Sequence, residues 1–302
     1  MEADRTHPDG VAFVEGAYVP IAEARIPILD RGFVRSDATY DVAHVWRGRF
    51  FRLDDHLGRF EANVEALRMT LPHSRAEIVE ILMGCVRRSG LRDAYVQMTC
   101  TRGLPNPGSR DPRLSVNRFY AFAVPFIWIA PEESRRRGVK LLISARERIP
   151  PATLDPRIKN FQWLDMTMAM YEAYELGAEL PVLIDRDGNL TEGPGFNVFV
   201  LQGGRLATPA SGVFEGMTRR TVFELCAETN VECEARDVPA GDLAGADEVF
   251  LSSTAGGIIG VSAVNGGTLG DGAPGPLTTR LHDLYWSKKE AGWLGTPVDY
   301  GA

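Results

Sequence analysis

The chain has 302 residues, 44% of them hydrophobic, a formal net charge of −7 and a pI near 5.4. That length exceeds the comfortable size of one core, so two domains are expected, and the acidic balance argues against a nucleic-acid partner, for which a basic face is needed. No apolar run is long enough to span a bilayer and the N-terminal residues lack a signal-peptide core, so a soluble cytoplasmic protein with no membrane partner is expected. Cys85, Cys100, Cys226 and Cys233 have no paired short spacing and the five histidines are scattered, which reads as reduced thiols and no metal site.

In chain order, Val11–Val14 and Ala17–Pro20 flank Glu15-Gly16 as a hairpin. Tyr40–Trp46 turns at Arg47-Gly48 into Arg49–Arg52 as a second. Asp54 is expected to cap a helix running through Arg59 to about Met69, and Ser74 with Glu77 forms a capping box for the next helix, which ends at Gly90. Asp93–Arg102 and Ser115–Val124 read as strands joined by a loop over 103–112. The pattern lapses between Pro125 and Arg137, which places the domain division there: residues 1–125, a linker at 126–137, and 138–302.

The second half opens with a strand, Val139–Ala145, followed by a proline-broken segment that carries Lys159 to the start of a helix. Leu164, Met168, Tyr171 and Tyr174 fall at helical spacing as its apolar face, and Gly177 stops it. Strands follow at Leu180–Ile184 and Phe196–Leu201, with a turn at Asp187-Gly188. Gly216-Met217-Thr218 opens a helix to about Asn230, Val249–Ser252 and Ile258–Val264 are strands, and Leu277–Glu290 is a helix. The glycine-rich run from Gly266 to Gly275 reads as one surface loop. The class is α+β, with helices laid against strands in two layers.

Two places suit a phosphate. At Gly216-Met217-Thr218 a glycine opens a helix, so backbone N–H groups and the positive end of the dipole converge on one spot. Ser252-Ser253-Thr254-Ala255-Gly256 is a strand end of small residues whose hydroxyls and N–H groups can face another. Arg59 lies three residues past His56, which puts both on one helix face. Glu192 stands beside a Gly-Pro-Gly turn between apolar strands, where a buried carboxylate needs a cationic or proton-donating partner. Taken singly, each of these also fits an ordinary cap, loop, solvated arginine or turn acid, and Lys159 a solvated cation.

Together they resemble a family. Lys159 before Asn160-Phe-Gln-Trp163, Thr191-Glu-Gly-Pro-Gly-Phe-Asn-Val198, Gly212-Val-Phe-Glu-Gly-Met-Thr-Arg219 and Thr254-Ala-Gly-Gly257 are similar to the successive motifs of the class IV, fold-type IV aminotransferases that use pyridoxal 5′-phosphate (PLP). The similarity runs from Glu23 to Tyr300, and within the family the order and spacing look most like the (R)-selective amine transaminases. The resemblance implies a small N-terminal α/β domain and a larger, barrel-like C-terminal α/β domain. It implies that Lys159 binds PLP as a Schiff base and moves a proton between substrate and cofactor carbons, acting as a neutral amine. It implies that Glu192 faces the pyridine nitrogen and that Phe214 packs near the ring. Arg59, Gly216, Met217, Thr218 and Thr254 are implied as the phosphate holders, with Ser253 a further cofactor-binding residue.

By the same resemblance, Phe33, Arg35, Tyr40, Val42, Arg110, Trp163, Thr254 and Ala255 would wall the substrate pocket of a homodimer, with a small amine and a keto acid such as pyruvate as substrates. Arg110 would swing inward for a keto acid and outward for an amine without a carboxylate. D-amino acid transaminase is the main alternative, but Pro107 occupies its carboxylate-binding Arg position and the loop has no His. Branched-chain transaminase is a third, lacking here its tyrosine-bearing motif, where Trp163-Leu164 stands. A lyase acting on aminodeoxychorismate and a non-catalytic phosphate binder complete the set.

Overall fold

The computed structural model describes residues 7–301. It divides into two compact units: residues up to 127 with 158–161 and 289 onward, and residues 128–157 with 162–288. The chain therefore does not divide at one linear boundary. The stretch read as a linker, 126–137, holds the division at 127/128 and a helix, Glu132–Arg137. Lys159 returns to the first unit because its carbonyl accepts from the Tyr40 N–H (3.2 Å) and the Thr39 hydroxyl (2.7 Å). The C-terminal segment returns because Gly295–Pro297 pairs with Arg49–Phe51.

The first unit is a seven-stranded antiparallel sheet in the order Gly295–Pro297, Arg49–Phe51, Ala38–Trp46, Ala94–Leu104, Val116–Pro125, Val11–Val14, Ala17–Pro20. Both expected hairpins are present, turning at Glu15-Gly16 and Arg47-Gly48, all four residues at positive φ. Two helices, Leu53–Ala66 and Arg75–Ser89, bury Leu57, Phe60, Ile78, Leu82 and Val86 in one core with Val45, Phe50 and Val96. The Ser74–Glu77 capping box forms, and Gly90 ends that helix in the left-handed region. Asp54 is not a cap, however. Leu53 opens the helix behind Arg52, itself at φ 54°, and Asp54 sits in the first turn, bound to Arg75 at 2.9 Å. The helix also stops at Ala66, short of Met69.

A short helix, Arg31–Arg35, has no counterpart in the sequence reading. Five residues carry too little periodicity to register. It is fixed by Asp30, fully buried, which accepts from the Gly32 N–H (2.7 Å), Thr101 hydroxyl (2.9 Å) and Tyr120 hydroxyl (2.9 Å).

The second unit is a nine-stranded mixed sheet. Its main path runs Cys233–Arg236, Arg205–Pro209, Phe196–Gln202, Glu248–Ser253, Gly257–Val264, Val139–Glu147, Leu180–Ile184, with Glu192–Gly193 and Gly267–Thr268 off it. The expected single loop over Gly266–Gly275 begins instead as a hairpin. Asn265 and Gly266, both at positive φ, turn Gly267–Thr268 back onto Ala263 and Val264.

The helix after Lys159, Leu164–Glu175, is present, and Gly177 (φ 75°) ends it. Its orientation reverses the expectation. Met166, Ala169 and Ala173 are buried, whereas Leu164 (80%), Met168, Tyr171 (59%) and Tyr174 (56%) are exposed. The helix is apolar on two sides; small side chains permit close packing on the sheet, and the bulkier stripe faces outward. Among the described residues no helix is long and apolar enough to cross a membrane.

Candidate active site

In the first unit Lys159 is half-buried and its backbone is held as a bridge to the Ala38–Trp46 strand, Thr39 pairing with Asn160. Its Nζ lies 4.6 Å from the centroid of the Tyr40 ring, which is itself 4.6 Å from that of Phe161. Of the four lysines in the chain, Lys140 is exposed, Lys288 is paired with Glu228 at 2.6 Å, and Lys289 is buried between the rings of Trp46 and Phe51.

Arg59 and His56 do share a helix face, and both meet a residue the sequence reading did not single out. Asp41, fully buried, accepts from Arg59 Nε (Oδ2, 2.7 Å) and Nη2 (Oδ1, 2.9 Å), contacts His56 Nδ1 (Oδ1, 2.7 Å) and takes the Val42 N–H (2.7 Å). Burial pushes the Asp41 carboxyl up, but Arg59 and His56 together outweigh it and hold the group well below the usual carboxylate range. Burial, with the positive charges of Arg59 and Lys159, holds the His56 ring below its usual value against the pull of Asp41. One edge of the Arg59 guanidinium is thus locked, which fixes the plane and aim of the rest.

Because its folded value is depressed, Asp41 contributes stability fully above its unfolded value of about 4 and progressively less as pH falls below it. Asp41→Asn is therefore expected to be less stable than wild type near pH 7, by about 3 kcal/mol for a broken buried pair, with the gap narrowing but not closing by pH 3. Denaturant midpoints at both pH values check this; a gap independent of pH would contradict it.

Phe33 is 61% exposed, Arg35 donates to the carbonyl of neighbouring Val34, and Arg110 is exposed on the loop after Leu104, whereas Tyr40 and Val42 are buried in their strand.

In the second unit the sheet register gathers the other candidates around Asn197. That residue pairs with Glu192 on one side and Ser252 on the other, and its amide donates to the Phe214 carbonyl at 2.8 Å. Glu192, 4% exposed, accepts from the Phe214 N–H through Oε2 (2.9 Å) and from Arg148 Nε through Oε1 (3.1 Å). Gly216 caps the Met217–Glu228 helix with no side-chain hydrogen bond to its first turn, and a Cβ there would stand 2.4 Å from the Asn197 amide oxygen. Thr218, 3% exposed, lies in that first turn.

Ser253 donates to the Gly195 carbonyl and takes the Ala255 N–H, with Thr254 between them. Trp163 stands at the start of its helix within 3.8 Å of where a Cβ on Gly195 would be. Glu192, Phe214 and Gly216 thus meet through Asn197, Trp163 and Ser253 meet through Gly195, and Ala255 is tied to Ser253. Arg148, Asp165 and Asn197 were assigned no role from sequence; Asn197 lies inside a quoted motif, but Arg148, between Glu147 and Ile149, has no pattern that marks it.

The second unit holds a buried carboxylate with a fixed second partner and a helix start kept open by glycine, and the first unit holds a lysine against an aromatic ring. The family Amino-transferase class IV matches residues 38–264. The chain belongs to the class IV aminotransferases. The D-alanine aminotransferase of Bacillus licheniformis is 31% identical over 268 residues, 88% of this chain and 92% of that one. The branched-chain-amino-acid aminotransferase of Pseudomonas aeruginosa is 29% identical over 294 residues, 94% and 93%. The T.th. branched-chain amino acid aminotransferase with pyridoxamine 5′-phosphate superposes with a TM-score of 0.88 at 26% identity, covering 96% of this chain and 99% of that one.

The expected α+β, fold-type IV architecture and PLP cofactor agree with these relatives. The residues present also fit PLP: Glu192 suits a protonated ring nitrogen, the open helix start at Gly216 suits a phosphate, and Lys159 offers a half-buried amine of the kind an aldehyde can bond.

Proposed function

We propose that this class IV aminotransferase moves the amino group of an (R)-amine to a keto acid such as pyruvate, working as a cytoplasmic homodimer. Bound PLP supplies the electron sink for breaking a carbon–hydrogen bond at the amine-bearing carbon. Lys159 tethers the cofactor and carries the proton to and from that carbon, which requires its amine uncharged. Glu192 holds the ring nitrogen protonated, and Phe214 packs beside the ring. Arg59, aimed by Asp41, binds phosphate with the N–H groups and hydroxyls of Gly216, Met217, Thr218, Ser253 and Thr254.

The observation that carries the amine reading is the aromatic surface at the lysine. Tyr40 lies against Lys159 and Phe161, an apolar wall suited to an aryl substituent. Pro107 stands where D-amino acid transaminases place an Arg for the substrate carboxylate. By the family resemblance Val42, Trp163, Thr254 and Ala255 are further substrate residues, and Arg110 is the group for the keto-acid carboxylate. Phe33 and Arg35 serve the neighbouring subunit. Exposed Ile28 (69%), Leu29 (64%), Phe33, Leu164 and Tyr171 are apolar surface that a second copy would cover; light scattering should give twice 33.2 kDa, and a monomer would contradict it.

The second reading is D-amino acid transaminase, favoured by the relative at 31% identity. A donor panel separates them: each enantiomer of 1-phenylethylamine and D-glutamate with pyruvate, then D-alanine and L-leucine with 2-oxoglutarate. The (R)-amine alone should give efficient transfer. Faster turnover of D-alanine would shift the reading to the second, and of L-leucine to a branched-chain enzyme; no alanine from any amine would leave the lyase.

A further inference from the structure

The carboxylate at 192 does not stand alone. Arg148, 8% exposed, binds Glu192 through Nε at 3.1 Å and Asp165 through Nη1 at 2.7 Å. Asp165 in turn accepts the Ile149 N–H (3.2 Å) and its neighbour's, Met166 (2.8 Å). Side-chain exposures of 5% for Glu192, 8% for Arg148 and 13% for Asp165 put all three largely out of water, where charge is weakly screened. A guanidinium on Glu192 alone would make a neutral pair and weaken the attraction of Glu192 for a cation. Two carboxylates around one guanidinium leave one net negative charge.

We propose that Asp165 is a positioning residue of the reaction: by neutralising Arg148, it returns to Glu192 the full negative charge that keeps the PLP ring nitrogen protonated. This rests on the reading that Glu192 faces that nitrogen. Asp165 is six residues after Lys159 in the sequence. Of the other charged groups on the elements packed here, Lys140, Arg146, Glu147 and Glu175 are exposed, and the nearer carboxylates are engaged elsewhere. Glu172, on the same helix as Asp165, takes Ser144 (2.6 Å) and Arg146 (3.7 Å), and Asp185, after the Leu180–Ile184 strand, takes the N–H groups of Asp187 and Asn189. Arg148 itself is fixed by its N–H to the Ile184 carbonyl (2.8 Å).

The test uses the holoenzyme loaded with PLP carrying 15N in the ring, whose nitrogen shift reports protonation directly across a pH series. Asp165→Asn should lower the midpoint of ring deprotonation by at least about one unit, a tenfold loss of proton affinity, and lower kcat with the KM for amine unchanged. Asp165→Glu should restore both. The double variant Asp165→Asn/Arg148→Gln, which again leaves one negative charge, should recover the midpoint, whereas a merely structural role would make it worse than either single change. That double variant keeps the test decisive if Asp165→Asn alone folds poorly. A midpoint unmoved in Asp165→Asn, or unrecovered in the double variant, overturns the proposal. A wild-type ring nitrogen unprotonated at neutral pH, or indifferent to Glu192→Gln, would instead overturn the reading of Glu192.

Discussion

Lys159→Ala is expected to abolish transamination while leaving the fold intact and PLP weakly bound. The backbone at 159 is held through its carbonyl by Thr39 and Tyr40, so deleting the side chain removes no anchor, and a stability change within about 0.5 kcal/mol is expected. What is lost is the tether and the proton carrier, and the latter alone is worth roughly 10²–10⁴-fold in rate. Carrying the proton requires the amine in its neutral form. The rate of the wild-type enzyme should therefore rise with pH until the neutral amine dominates. Steady-state rates with (R)-1-phenylethylamine and pyruvate, beside denaturant midpoints, check both halves. A variant that turns over normally would end the assignment.

Glu192→Gln should lower kcat by roughly 10²–10³-fold, the scale of losing one preorganised electrostatic partner. Both oxygens of Glu192 receive donors, Arg148 and the Phe214 N–H. An amide can present an oxygen to only one of them, so its NH2 must face the other donor, a buried mismatch costing about 1–3 kcal/mol. Arg148 would keep Asp165, which limits the structural damage. The kinetic loss should therefore exceed the loss attributable to unfolding, and the visible spectrum of bound cofactor should change. Full activity with an unchanged spectrum would mean that another group faces the ring.

Strand and helix assignments were most legible where one local rule decides them. The Ser74–Glu77 box, the Glu15-Gly16 and Arg47-Gly48 turns and the stop at Gly177 depend on residues within a few positions of each other. Features settled by distant packing were not legible. Asp54 looks like a cap, yet the Arg52 backbone makes that corner. The Leu164–Tyr174 stripe looks like the packed face, yet alanines on the other side let the helix approach the sheet closely. Among candidate site residues, those in glycine-marked motifs could be read because glycine betrays a backbone constraint: at Gly216 a Cβ would meet Asn197 at 2.4 Å. Asp41, Arg148 and Asp165 are single charges in ordinary surroundings, and only the pairing of elements distant in the chain shows that each is buried against a counter-charge.

Covalent attachment of PLP to Lys159 underlies every role proposed for the site, and a chain with four lysines makes it sharply testable. Burial drives the amine of Lys289 well below its ordinary value, which would make it nucleophilic, but it is 6% exposed and enclosed by the Trp46 and Phe51 rings. Borohydride reduction of the PLP-loaded enzyme, followed by digestion and peptide mass analysis, reads out the attachment point. The phosphopyridoxyl group should be found on Lys159 alone; its recovery on Lys140, Lys288 or Lys289, or on no lysine, would contradict that attachment.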